Sequence, residues 1–154
     1  MSVQGTLSPL HTTQSVLEAR LLIKQGLDVN VRAKYGIAPL HYNHNYNVLK
    51  LLLDLGADIS IQREDGYTPL HLQTEPVIVK LLIDYGADVN AQNDWGDTPL
   101  HTAEYSESVR LLLQNGASPD IRNDDGELPE DCYGDEGDSL LMQKYVRDAR
   151  GKSG

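Results

Sequence analysis

Thr68-Pro69-Leu70-His71 and Thr98-Pro99-Leu100-His101 are the same four letters set thirty residues apart. Working outward, Ser8-Pro9-Leu10-His11 and Ala38-Pro39-Leu40-His41 continue the series at the same spacing, and Pro129 extends it once more. Gly26, Gly56, Gly86 and Gly116 keep that spacing, as do Gly36, Gly66, Gly96 and Gly126. Phased series of this kind mark an internal repeat. The units are 6–35, 36–65, 66–95, 96–125 and 126–150, followed by a tail at 151–154, all within one domain spanning 1–154.

Each unit has a physical reading. Ser or Thr before Pro can cap orphan backbone N–H groups, and Pro is suited to the first helical position. Ala38 has no such side chain, so the second unit should start less firmly. Leu10, Leu40, Leu70 and Leu100 follow as core anchors. This first helix must be short, because the next one already starts at Ser15-Val16-Leu17-Glu18 (a capping box), at Asn45 and at Pro76. The second helix carries the apolar stripe: Ala19, Leu49, Val79 and Val109 precede the Leu/Ile triplets at 21–23, 51–53, 81–83 and 111–113. A glycine closes it as a left-handed cap. An alternating segment such as Asp88-Val89-Asn90-Ala91-Gln92 then reads as an extended, hairpin-like connection.

One such unit cannot bury both faces of its helix pair, so neighbours must stack into an all-α solenoid. The last unit breaks the pattern as a cap should. Glu130 replaces the anchor Leu, Asp131 replaces the His, and residues 139–146 offer one apolar and one polar face. The first unit is the other cap.

These residues carry a family resemblance. Thr68-Pro69-Leu70-His71, Thr98-Pro99-Leu100-His101 and Gly86-Ala87-Asp88-Val89-Asn90-Ala91 resemble the ankyrin repeat signature, over roughly residues 6–150. The usual ankyrin period is about 33 residues, and the three missing here fall between the His and the Leu triplet. The resemblance implies stacked helix pairs with a first helix about 5 Å shorter than the family's. It also implies a protein-binding surface of hairpin tips and first-helix face. Matched position by position, that surface comprises Tyr35, Ile37, Tyr42, Glu64, Asp65, Tyr67, Asp94, Trp95, Asp97, Tyr105, Asp124 and Asp125, with His44, Thr74 and Glu104 nearby. Exposed Trp and Tyr are frequent interface anchors, and Trp95 is the leading single residue because a turn-tip indole has no evident core to enter. Asn30 and Asn90 match a hairpin asparagine that the family can carry hydroxylated; a hydrogen bond across the hairpin is the simpler role.

Charge narrows the partner. The 154 residues carry a formal charge of −10, distributed as +2 over 1–63, −15 over 64–138 and +3 over 139–154. Such a chain has no electrostatic hold on nucleic acid or anionic lipid, and the acidic tips call for a basic protein segment. No apolar run is long enough to span a membrane. Met1 to Leu10 lack the features of a secretory signal. A single cysteine, Cys132, forbids an internal disulfide and suits the cytoplasm. The expectation is a monomer that acts as an adaptor or stoichiometric inhibitor; the alternative is a structural or regulatory subunit of a larger complex with no ligand surface of its own.

Chemistry finds no foothold. No nucleophile elbow or phosphate-cradling loop is present, and Cys132 sits among carboxylates that would dull its thiolate. The phased histidines are too far apart to share a zinc ion, since packed helices lie about 8–10 Å apart. They read as structural imidazoles bonding to turn backbone or a Thr hydroxyl. Asp124–Asp138 holds eight acidic residues but not the register of a calcium loop. Lys50 and Lys80 stand four residues before Asp54 and Asp84, a spacing for weak surface ion pairs. No catalytic residue, metal or cofactor is expected.

Overall fold

The structure is a computed structural model that describes residues 6–134 and 138–151. The acidic stretch at 135–137, the first five residues and the tail at 152–154 lie outside the described residues, and with them part of the calcium-loop and signal readings.

Four helix pairs follow one another: α1 (Pro9–Thr12) with α2 (Val16–Lys24), α3 (Pro39–Tyr42) with α4 (Tyr46–Asp54), α5 (Pro69–Leu72) with α6 (Pro76–Asp84), and α7 (Pro99–Thr102) with α8 (Ser106–Gln114). 3-10 turns at Lys34–Gly36 and Pro129–Asp131 and the closing helix α9 (Asp138–Arg150) complete the helical elements among the described residues. Every first helix is one turn of four residues, and every second helix has nine. First helices stack on first helices and second on second. The core runs along the stack through Leu10, Leu40, Leu70 and Leu100, and through Leu49, Leu52, Val79, Leu82, Val109 and Leu112.

The helix starts differ from expectation. The hydroxyls of Ser8, Thr68 and Thr98 do not cap backbone N–H groups; they meet the Nδ1 of His11, His71 and His101 at 2.8–2.9 Å. The imidazole is the cap instead: Nδ1 accepts the backbone N–H three residues earlier, in the second unit from Ala38 at 3.0 Å. Ala38 therefore forfeits one contact, not the cap. Ser15 accepts from the Glu18 N–H at 3.2 Å, yet the Glu18 carboxylate turns to the Thr13 hydroxyl, so the box is half built.

A four-residue helix leaves carbonyls orphaned at its end. Side chains at one register of the repeat, residues 43, 73 and 133, reach back one unit to satisfy them. Asn43 Nδ2 donates to Leu10 O (3.2 Å) and Thr13 O (2.9 Å). Gln73 Nε2 does the same to Leu40 O (3.0 Å) and Asn43 O (2.9 Å). The Tyr133 hydroxyl donates to Leu100 O. Ala103 cannot, and Thr102 Oγ1 takes over part of the role by donating to His71 O at 2.9 Å.

The two ends are unequal. At the C-terminal end the Asp131 carboxylate accepts the Leu128 N–H at 2.9 Å, doing what the imidazole does elsewhere. Arg150 donates to Asp120, Glu130 and Pro119 O, pinning α9, which buries Met142 and Val146. At the other end Leu21 is 54% exposed, whereas its counterparts Leu51 and Leu81 are 4% exposed. Of that face only Glu18, at the position of Val48, Ile78 and Ser108, has the polarity of a cap.

Candidate protein-binding face

The connections between units are not strands; among the described residues none forms. Each tip closes on its own backbone bonds, such as Arg63 N–H to Tyr67 O at 3.0 Å and Gly66 N–H to Arg63 O at 3.1 Å. The next bond runs to the neighbouring tip. Glu64 donates to Tyr35 O at 3.0 Å, Asp94 to Asp65 O at 3.2 Å, and Asp124 to Trp95 O at 2.9 Å. A turn so tightly docked requires glycine: a Cβ on Gly66 (φ +78°) would stand 2.7 Å from Asp94 N. The tips form one continuous ledge.

Histidines lock the ledge to the helices. With Nδ1 accepting a backbone N–H, the ring proton belongs on Nε2, which donates forward across the unit boundary. His11 reaches Ile37 O at 3.0 Å and His71 reaches Asp97 O at 3.0 Å. His41 reaches both Ile61 O and Tyr67 O at 3.1 Å, and His101 reaches Glu127 O at 3.3 Å. Burial pushes His41 down to about 4 and lowers His71 and His101, against the pull of these carbonyls. Among the described residues no group of three or more His, Cys, Asp or Glu is placed to hold a metal ion.

The asparagines bond onward to the next unit, not across their own hairpins. Asn30 Oδ1 accepts the Asp58 N–H at 2.8 Å, and Asn90 accepts from Ser118 at 2.7 Å while donating to Gly116 O at 3.0 Å. Burial, followed by the Glu127 carboxylate, pushes the Cys132 thiol up to about 11, so its thiolate is scarce.

Not all twelve surface residues are equally free. Glu64, Asp94, Asp124 and Asp125 are exposed on the ledge, as are Tyr35 and Trp95, while Tyr42 and Tyr105 are exposed at the end of α3 and the start of α8. Ile37 is partly covered. Asp65 pairs with Arg63 at 2.5 Å, and Asp97 Oδ1 accepts from Asn123 Nδ2 at 2.9 Å. Tyr67 is the most committed to its own chain. Its ring centroid lies 5.6 Å from that of His71, 5.7 Å from that of Trp95 and 5.5 Å from the Arg63 guanidinium, and its phenol is pushed up by burial, then by Asp97 and Asp65. Trp95 therefore leans on Tyr67 yet stays 51% exposed. Its backbone is held on both sides, by Asn93 Oδ1 accepting its N–H at 2.9 Å and by Asp124 donating to its carbonyl.

Sequence reasoning missed Arg63, which the repeat gives no reason to single out, because Ala33, Asn93 and Asn123 hold its place elsewhere. At this same junction Arg63 Nε and Asp65 Oδ1 are buried without a hydrogen-bond partner, and Asn93 Nδ2 faces Tyr67 without good donor geometry. The equivalent Asn123 donates to Asp97, the aspartate that stands where the earlier unit has Tyr67, and more weakly to Glu127. A groove of about 820 Å³ between α8 and α9, lined by Leu113, Ala117, Pro119, Tyr145 and Ala149, was also unforeseen. Two of its charged groups, Arg110 and Asp120, already pair with Glu107 and Arg150. No helix among the described residues is long and apolar enough to cross a membrane.

A stack of helix pairs with a ledge of tips along one side defines a class of proteins, and comparison with known families agrees. Ankyrin repeats, in three copies, match residues 42–123, a little over half of the chain. The chain belongs to the ankyrin repeat family, whose repeats are generally protein–protein interaction modules and typically non-catalytic. A comparison with curated proteins finds no match.

Proposed function

We propose that this chain is a non-catalytic, monomeric, cytoplasmic binding module that grips a basic segment of another protein along the ledge and first-helix face. It acts by occupancy, as an adaptor or a stoichiometric inhibitor. One observation carries this reading. The carboxylates of Glu64, Asp94, Asp124 and Asp125 stand exposed in a row of tips, with no ion pair among the described residues, beside the half-open Trp95. Unpaired like charges along one ledge raise the local concentration of a cationic partner.

The test is calorimetric titration of the full chain with a twelve-residue Lys/Arg peptide and with an acidic peptide of equal length. The basic peptide is expected to bind, and raising salt from about 50 to 300 mM to weaken it several-fold, because exposed charges are screened. Affinity that is flat in salt, or equal for the two peptides, overturns the proposal. Tyr35→Ala with Trp95→Ala is the appropriate weakened variant. Tyr67→Ala is not, since Tyr67 packs on His71 and its loss would disturb the fold.

A further inference from the structure

Three tyrosines, the exposed Tyr35 and the half-buried Tyr67 and Tyr85, each have a cation of the chain over the ring. The Lys34 ammonium lies 4.5 Å from the Tyr35 centroid, Arg63 lies 5.5 Å from that of Tyr67, and Lys50 lies 5.9 Å from that of Tyr85. Trp95 is the largest ring on the ledge and the best cation acceptor by chemistry. No Lys or Arg of the described residues lies over it. It is half exposed, and its backbone is fixed on both sides before any partner arrives.

The neighbouring junction shows what is missing. There a guanidinium covers Tyr67 while pairing with Asp65 at 2.5 Å. Trp95 offers an open ring with no such cation, next to Asp94 in the chain and joined through its carbonyl to the Asp124 N–H, and both of these aspartates are exposed and in no ion pair among the described residues. A guanidinium suits this gap better than an ammonium. It is planar and weakly hydrated, so it can lie flat on an indole while its edge N–H groups meet carboxylates.

We infer that Trp95, with Asp94 and Asp124, is a receptor for a single arginine side chain supplied by the partner. This rests on the basic-segment reading and sharpens it from net charge to one residue type. Trp95 is the sole tryptophan, so its emission reports on the site directly.

The experiment titrates the unmodified full chain with hexa-arginine and, separately, hexa-lysine, following Trp95 fluorescence and binding heat together. The arginine peptide is expected to change the emission and to bind about three- to tenfold tighter than the lysine peptide. Trp95→Phe should keep part of that preference and Trp95→Ala abolish it, a loss of about tenfold for arginine. Melting temperatures establish that the variants fold, and the unmodified chain gives an answer without them. If both peptides bind equally with silent emission, the arginine receptor is wrong while the basic-segment reading survives. If neither binds, both fall.

Discussion

His71 Nε2 donates to the carbonyl oxygen of Asp97 across 3.0 Å, so the first helix of one unit holds the tip of the next. His11, His41 and His101 repeat the bond at their own boundaries. The binding ledge is thereby coupled to the core through four imidazoles, and that coupling has measurable consequences.

Acid should loosen the stack. An unfolded His41 protonates near 6.5, but the folded one not until about 4. Between those values the unfolded chain holds more protons, so stability falls as pH drops; above 6.5 these groups add no slope. His41 alone then removes about 3 kcal/mol by pH 4, and His71 and His101 push in the same direction. Urea midpoints at pH 7.5, 6 and 5 should decline in order, with a shallower decline in His41→Gln. A midpoint constant down to pH 5 would exclude a buried neutral ladder.

Two glycine substitutions should separate strain from collision. Gly66→Ala and Gly86→Ala both place a methyl at positive φ, which costs about 1–2 kcal/mol. Only Gly66 also drives it onto the next tip, 2.7 Å from Asp94 N, while nothing lies within 4 Å at Gly86. Gly66→Ala should therefore be clearly the worse of the two in denaturant unfolding. Equal losses would mean the tips are not in contact.

Gln73→Ala removes the only side-chain donor that the structure gives to Leu40 O and Asn43 O. Leaving buried acceptors bare costs about 1–3 kcal/mol each, so a loss of about 2–4 kcal/mol is expected in urea. The effect should be far larger than for Gln14→Ala, whose amide is exposed.

Arg150→Ala should free the C-terminal cap selectively. Its partner Glu130 has a side chain only 13% exposed and would keep only Arg147, at 3.3 Å. Amide exchange in α9 should accelerate by about tenfold or more while α4 stays protected, because neighbouring units open semi-independently. Uniform acceleration along the chain would show that the cap is not a separate unit.

The amino-acid sequence alone determined the period, the paired helices, the short first helix and the closing helix. Those features depend on residues within about ten positions of each other: a Pro at a helix start, a glycine at its end, an apolar stripe between. The local contacts of the histidines, to turn backbone and a Thr hydroxyl, and the lysine–aspartate pairs at 50/54 and 80/84 were legible for the same reason, whereas the Nε2 bonds across unit boundaries were not. The backward-reaching ladder was not, because Asn43, Gln73 and Tyr133 share no residue type, only a donor and a register. The sequence put Trp95 first among the tips but could not say how free each aromatic is: Tyr67 is taken up by Arg63 and His71, while Trp95 keeps half its surface open. Arg63 and His71 reach Tyr67 from within its own tip, but only stacking sets Trp95 against Tyr67 and fastens its carbonyl to Asp124, because those groups are about one unit away in sequence and meet only when successive turns settle on one another.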